Sequence, residues 1–245
     1  MKNSLRFKIT FWIIFFLFWY LMGMRINSPA IFPYPHKVLL KTISLLSDTE
    51  FLYNLGITAI RSLVGLFLAF FIGFILGNIK NEKFYVGIRN IIDIFQSNPL
   101  IIWITLALLW FGFGSKTVIF TTFIMLFPNL YLSVYYALKN IPTEYIELFK
   151  IYPISKKNYI TKFLIPYIKP FILPVLANST ISSFKISAMA EFFATNNGIG
   201  FLLSYAKTFL NTEYIYAISI YLFIISKFLE YIFRKMNILK EDLKL

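Results

Sequence analysis

"LGITAIRSLVGLFLAFFIGFILG", residues 55–77, decides the class of fold. It is apolar over a length that exceeds the roughly 20 residues a helix needs to cross the hydrocarbon core of a bilayer. Within it Gly65, Ala69, Gly73 and Gly77 recur at every fourth position. Small residues at that spacing form a ridge on which a second helix packs closely in lipid. Arg61 stands four residues before Gly65 and continues the ridge. A cation in a span is costly unless it meets protein or water, so this face is expected to look into a bundle. Arg61 then reads as a contact along a permeation path, as a structural partner for a carbonyl or carboxylate, or as a residue near the outer interface.

The rest of the chain agrees with that class. Of its 245 residues 58% are hydrophobic, 20% aromatic and only 14% charged, which predicts an all-α integral membrane protein. The formal charge of +13 is dispersed among apolar spans and forms no basic patch or arm, which argues against nucleic acid as a partner. With no cysteine, disulfides, thiolate metal sites and cysteine nucleophiles are excluded.

About six transmembrane helices are predicted, over residues 9–24, 57–76, 86–113, 117–136, 170–193 and 215–233, in one domain over 1–245 with its core at about 50–235. The first span follows basic residues as a secretory signal does, but "RINSPA" after it is a weak cleavage site, so retention is expected. Short basic loops stay cytoplasmic. With the N-terminus inside, seventeen Lys and Arg fall in inside segments or at the inner ends of the spans (Arg89 and Lys227) and five in outside segments, so both termini are predicted to be cytoplasmic. The outside loop of residues 25–56 carries a proline-punctuated entry and a moderately amphipathic helix, too short for a core of its own.

Two spans are unusual. The third is interrupted by "DIFQSNPL", where Pro99 disfavours helix at Asn98 and removes a backbone donor. Irregular backbone at membrane depth needs protein or a wet cavity beside it, so Asn98, with Asp93, Gln96 and Ser97, is a candidate to line a path; Asp93 equally suits the cytoplasmic surface. The fifth span carries Asn178, Ser179, Thr180, Ser182, Ser183, Lys185, Ser187 and Glu191. A lipid-facing helix does not tolerate so many polar groups. Lys185 and Glu191 lie about 240° apart around the helix and do not pair within it. Lys185 reads either as a counter-charge for an anionic solute or as a buried lysine satisfied by a neighbouring helix.

Visible chemistry is lacking. The single histidine, His36, lies in the outside loop, and neither an H-E-x-x-H motif nor a Gly-rich phosphate loop occurs. No metal site, no cofactor of its own and no enzymatic activity are expected. A polar path through lipid points to transport, powered by a partner or an ion gradient.

A second stretch, "IPTEYIELFKIYPISKKNYITKFLIPYIKPF" at residues 141–171, interrupts the apolar spans with amphipathic, mostly basic sequence. Tyr145, Ile146, Leu148, Phe149 and Ile151 form one face opposite Glu144, Glu147 and Lys150. Pro153 breaks that helix, and Ser155 is placed to cap a second one. The two helices make an exposed cytoplasmic corner, suited to a groove in another protein or to anionic lipid.

The stretch resembles the cytoplasmic loop of permease subunits in binding-protein-dependent ABC importers, whose signature reads E-A-A, three residues, G, then I-x-L-P. Aligned on Ile165 and Pro166, the glutamate falls on Glu147, while Leu148, Phe149 and Pro153 replace the alanines and glycine. The segments "LGITAIRSLVGLFLAFFIGFILG", "LLWFGFGSKTVIF", "FPNLYLSVYYALKNIP" and "MAEFFATNNGIGFLLSYA" are similar, in order and spacing, to the nitrate, sulfonate and taurine group of these permeases. The W-F-G-x-G of residues 110–114 and the A-E of Ala190 and Glu191 with Gly198 and Gly200 carry that match.

The resemblance implies a type I ABC importer permease fold, a homodimeric pore in a prokaryotic cell membrane, separate ATPase subunits that bind ATP and Mg, and an extracytoplasmic solute-binding protein. It makes residues 141–169 a coupling loop, with Glu147, Pro153, Ile154, Ser155, Lys156 and Lys157 at the ATPase. Arg61, Asn98, Ser183, Lys185 and Glu191 are the candidate path residues. The group carries small anions such as nitrate, sulfonates and taurine, and also thiamine-pyrimidine precursors and other organic solutes; Lys185 leans towards an anion. A secondary carrier working without an ATPase is the alternative.

Overall fold

A computed structural model describes residues 2–79, 81–152, 154–236 and 238. Among the described residues the chain is helical and has no strand. In order it forms α1 (Lys2–Ile26), α2 (Pro35–Ser44), a 3-10 turn (Leu45–Ser47), α3 (Thr49–Gly77), α4 (Glu82–Ser97), α5 (Leu100–Phe111), α6 (Ser115–Lys139), α7 (Thr143–Ile151), α8 (Lys156–Asn158), a π-helical stretch (Tyr159–Leu164), α9 (Ile165–Ala194), α10 (Ile199–Thr208) and α11 (Thr212–Lys235).

Among the described residues four helices are long and apolar enough to span a membrane: Thr49–Gly77, Ser115–Lys139, the continuous rod Lys156–Ala194, and Thr212–Lys235. The apolar stretch Thr10–Ile26 of α1 is shorter. The interrupted third span is a bent pair, α4 and α5, at 104°. The bend falls at Asn98 and Pro99, both extended, where proline disfavours a helical predecessor.

α3 starts where Asp48 accepts the amides of Glu50 and Phe51 at 3.0 and 3.1 Å. Its ridge of Gly65, Ala69, Gly73 and Gly77 is buried. The ridge faces α6 so closely that a Cβ on Gly65 would lie 2.7 Å from Thr122 Cβ, and one on Gly77 2.9 Å from Val134 Cβ. Around this pair Leu66, Ile92, Leu126, Leu130 and Tyr131 form the main core, with Val175 and Ile186 of α9 packed against it. A second core of Leu45, Phe51, Ile199, Leu202, Ala217 and Ile218 holds α10 between α3 and α11. The expected helix in the 25–56 loop is α2, which packs on α11: Tyr221 Oη donates to Thr42 O at 2.8 Å, and Lys41 lies over the Tyr214 ring.

The end of the cytoplasmic loop differs from the sequence reading. The loop expected to end at residue 169 runs without a break into the fifth span, forming a rod of 39 residues, Lys156–Ala194. Ser155 caps it, accepting the Asn158 amide at 3.3 Å. Proline removes a backbone donor and crowds the preceding turn, and the chain meets Pro166 with a wider π-helical winding instead of stopping.

Candidate functional site

Three features of the bundle bear on function: a closed polar clamp, an open polar groove and an exposed apolar corner.

The clamp joins α3, α6, α9 and α10. Arg61 and Glu191 form a buried ion pair at 2.9 Å, with side-chain exposures of 6% and 0%. A buried charge pair is tolerable only if its remaining donors and acceptors are also used. Here they are. Arg61 donates from Nη1 to Asn197 O at 3.0 Å, from Nη2 to Asn197 Oδ1 at 2.5 Å, and from Nε to Ser115 Oγ at 3.0 Å. Glu191 Oε2 accepts Thr58 Oγ1–H at 2.7 Å and the Gly200 amide at 3.1 Å. Asn54 Oδ1 accepts the Gly198 amide at 2.5 Å, and Thr58 Oγ1 the Ile199 amide at 2.9 Å.

The amide of the cap residue Gly198 and the first two amides of α10, which a helix leaves without internal partners, are thus satisfied by side chains of α3 and α9. Glycine is required at this contact. Gly198 has φ +98°, and a Cβ there would fall on the Glu191 carboxylate. A Cβ on Gly200 would meet Ala188 O and lie 2.6 Å from Phe192 N. The A-E and G-x-G segments are therefore two sides of one contact.

The groove runs between α6 and α9. It encloses about 510 Å³ and is lined by Asn129, Ser133, Tyr136, Asn178, Ser179 and Ser182 among Met125, Leu126, Leu132, Val175 and Ile186. Its lining carries no charge. Gln96 of α4 reaches it, donating to Asn129 Oδ1 at 3.4 Å. In contrast to the clamp, Asn129 and Asn178 are exposed.

Of the five candidate path residues, none lines this groove. Arg61 and Glu191 are in the clamp. Ser183 is buried and donates to Thr180 O at 2.7 Å. Asn98 sits at the α4–α5 bend, its side chain donating to Ile94 O at 2.8 Å. Lys185 is exposed in a separate groove of about 400 Å³ against α11, with Ser219, Ser226, Lys227 and Glu230. Asp93 pairs with Arg89 at 3.0 Å on the exposed face of α4.

The corner lies where α7 meets α8. Phe149 packs on Tyr159 and Phe163, with ring centroids 5.2 and 4.8 Å apart, and Tyr145 lies 5.1 Å from Phe163. Tyr167 Oη donates to Asn140 O at 2.8 Å and ties the rod to the end of α6. With one apolar face so used, Leu148, Ile151, Tyr152 and Ile154 are left exposed, at 46, 70, 68 and 42%. Glu147, Ser155, Lys156 and Lys157 are exposed beside them. Pro153 lies outside the described residues.

The comparisons with known proteins agree on one family. The model of the binding-protein-dependent transport system inner membrane component matches residues 65–236. The formylaminopyrimidine transport permease protein ThiX of Halalkalibacterium halodurans is 24% identical over 193 residues, 78% of this chain and 77% of that protein. The taurine transport system permease protein TauC of Escherichia coli is 24% identical, over 82% of this chain and 76% of its own length. Among solved structures, an inward-facing MetNI methionine ABC transporter matches with TM-score 0.66 at 20% identity, over 77% of this chain and 96% of that one.

Proposed function

Because the chain belongs to the binding-protein-dependent transport system inner membrane components, as the permease subunit of an ABC importer in the inner membrane, we propose that the α6–α9 groove is its share of the translocation path. The open, uncharged polar groove on two spanning helices carries this reading. Exposed amide and hydroxyl groups at membrane depth are costly against lipid and useful along a wet path.

Permeases of this kind work with ATPase and binding-protein partners. In this reading the ATPase docks on the corner of Leu148, Ile151, Tyr152 and Ile154, flanked by Glu147, Ser155, Lys156 and Lys157. Pro153 belongs to the same docking site. The ATPase holds the ATP and Mg, and this chain contributes no catalytic group. A homodimer, a surrounding lipid annulus and cytoplasmic termini complete the arrangement, the last on the excess of inside Lys and Arg.

For the solute, two readings compete. A small anion such as nitrate, a sulfonate or taurine rested on Lys185 as counter-charge. A polar solute of no net charge, such as a pyrimidine precursor or a zwitterion, is favoured by the absence of any charged side chain from the groove. An ion in a low-dielectric path is stabilised by opposite charges or many aligned dipoles, and the lining supplies few of either.

Affinity purification from native membranes tests the importer assignment. The expected result is a co-purifying ATPase whose hydrolysis responds to solute-loaded binding protein, a response weakened by Ile154→Asp. Intact permease without an ATPase, or hydrolysis indifferent to the corner, overturns the docking site.

A further inference from the structure

The rod Lys156–Ala194 begins at the corner and ends at the clamp. Its 39 residues reach roughly 57 Å at 1.5 Å per residue, enough to cross a hydrocarbon core of about 30 Å and extend several turns beyond it. At its far end Glu191 holds α10 through the Gly200 amide, Thr58 through the Ile199 amide and Arg61 through both oxygens of Asn197. The last carbonyl of the rod, Ala194 O, accepts the Gly114 amide at 2.8 Å, so the α5–α6 turn is attached to the same point. Apart from this clamp α10 meets the rod through the close approach of Gly200 to Ala188 and through Lys207 over the Phe192 ring, and otherwise packs by apolar contact on Leu45, Phe51, Ala217 and Ile218. Apolar contacts permit sliding, whereas a saturated, buried ion pair fixes position.

We infer that the Arg61–Glu191 clamp transmits displacement of the cytoplasmic corner, carried by the rod, to α10 at the outer mouth of the path, which makes Arg61 and Glu191 positioning residues of the transport cycle. This rests on the coupling role proposed for the corner. Neither residue touches the solute: both are shut inside the protein, away from the groove. Their work is to make α9, α10 and the α5–α6 turn move as one body. Glutamate suits this better than a neutral residue because its two oxygens bind a guanidinium, a hydroxyl and a backbone amide at once.

The absence of cysteine makes the inference directly testable. A single Thr208→Cys places a thiol at the exposed end of α10, and a single Lys150→Cys places one on α7 beside the corner. Each is labelled with a maleimide in the assembled importer, nucleotide-free and trapped with ATP and vanadate. In the otherwise wild-type chain both labelling rates are expected to change with nucleotide, Thr208→Cys by about fivefold, as for a typical coupled pair of sites. With Glu191→Gln added, the response at residue 208 is expected to vanish while that at residue 150 persists; Glu191→Asp is expected to restore part of it.

A residue-208 response that survives Glu191→Gln overturns the inference, as does its absence in the wild-type background while residue 150 responds. If neither responds with the ATPase bound, the coupling role of the corner fails and the inference with it. Should Glu191→Gln not assemble, Thr58→Val removes one bond to the carboxylate and leaves the ion pair. It is expected to shrink the response at residue 208, and an undiminished response counts against the clamp.

Discussion

The clamp and the groove are both polar clusters on membrane-spanning helices, yet they meet opposite requirements. In the clamp every charged group is matched, from the Arg61 guanidinium to both oxygens of Glu191. In the groove Asn129, Asn178 and Ser182 keep hydrogen-bonding capacity turned to open space. Polarity inside a span therefore has two meanings. A closed cluster fastens helices together; an open one offers itself to water or solute.

The largest expected effect comes from breaking the closed cluster. Arg61→Ala leaves the Glu191 carboxylate buried without its cation, a change that costs about 3–5 kcal/mol in comparable buried pairs. Thermal unfolding in detergent should show a large fall in midpoint, together with reduced accumulation in the membrane. Wild-type stability in Arg61→Ala would mean that the pair fastens nothing. Gly200→Ala attacks the same contact from the other side. Its methyl has no room against Ala188 O and Phe192 N, and overpacking of that kind costs about 1–3 kcal/mol. A tolerated alanine at 200 would show that α10 is free to back away from α9.

Corner variants should separate function from folding. Ile154→Asp adds a charge at a 42% exposed site, so the unfolding midpoint should stay within the range of about ±0.5 kcal/mol usual for surface changes. ATPase affinity in a titration should nonetheless fall on the order of tenfold, equivalent to about 1.4 kcal/mol. A proportionate loss of fold and docking would demote the corner to a structural loop.

Much of this was legible in the residues alone. The ridge of Gly65, Ala69, Gly73 and Gly77 read as a packing face, and it packs on α6. The break at Asn98 and Pro99 and the cap at Ser155 follow from local backbone chemistry, which a single sequence displays. Partnership across the bundle is a different kind of fact. Arg61 and Glu191 are 130 positions apart, and only packing brings them together. A signal for the α3 side existed: Asn54, Thr58, Arg61 and Gly65 fall at helical spacing on one face, as one polar stripe running into the small-residue ridge. Asn129 and Ser133 gave less warning, since two polar residues one turn apart on a span also suit a helix contact. The continuity of the rod was hidden because Pro170 suits the first turn of a helix, so a span opening there needs no helix before it.

The smallest expected effects decide between the two solutes. Asn178→Ala removes one hydrogen-bonding group from the groove, and a single hydrogen bond contributes about 0.5–1.5 kcal/mol, so uptake should slow by roughly two- to tenfold. Lys185→Ala removes a charge that lies in a different groove, beside Lys227 and Glu230. If the path is uncharged, uptake should change less than twofold by the same scale, for a neutral probe and an anionic one alike. Proteoliposomes holding the assembled importer and its binding protein allow both variants to be compared on one solute, with taurine and a formylaminopyrimidine as probes. A larger loss from Lys185→Ala than from Asn178→Ala would move the path towards α11 and restore the anion. The reverse order would place the solute between α6 and α9 and leave Lys185 outside the path, in the groove against α11.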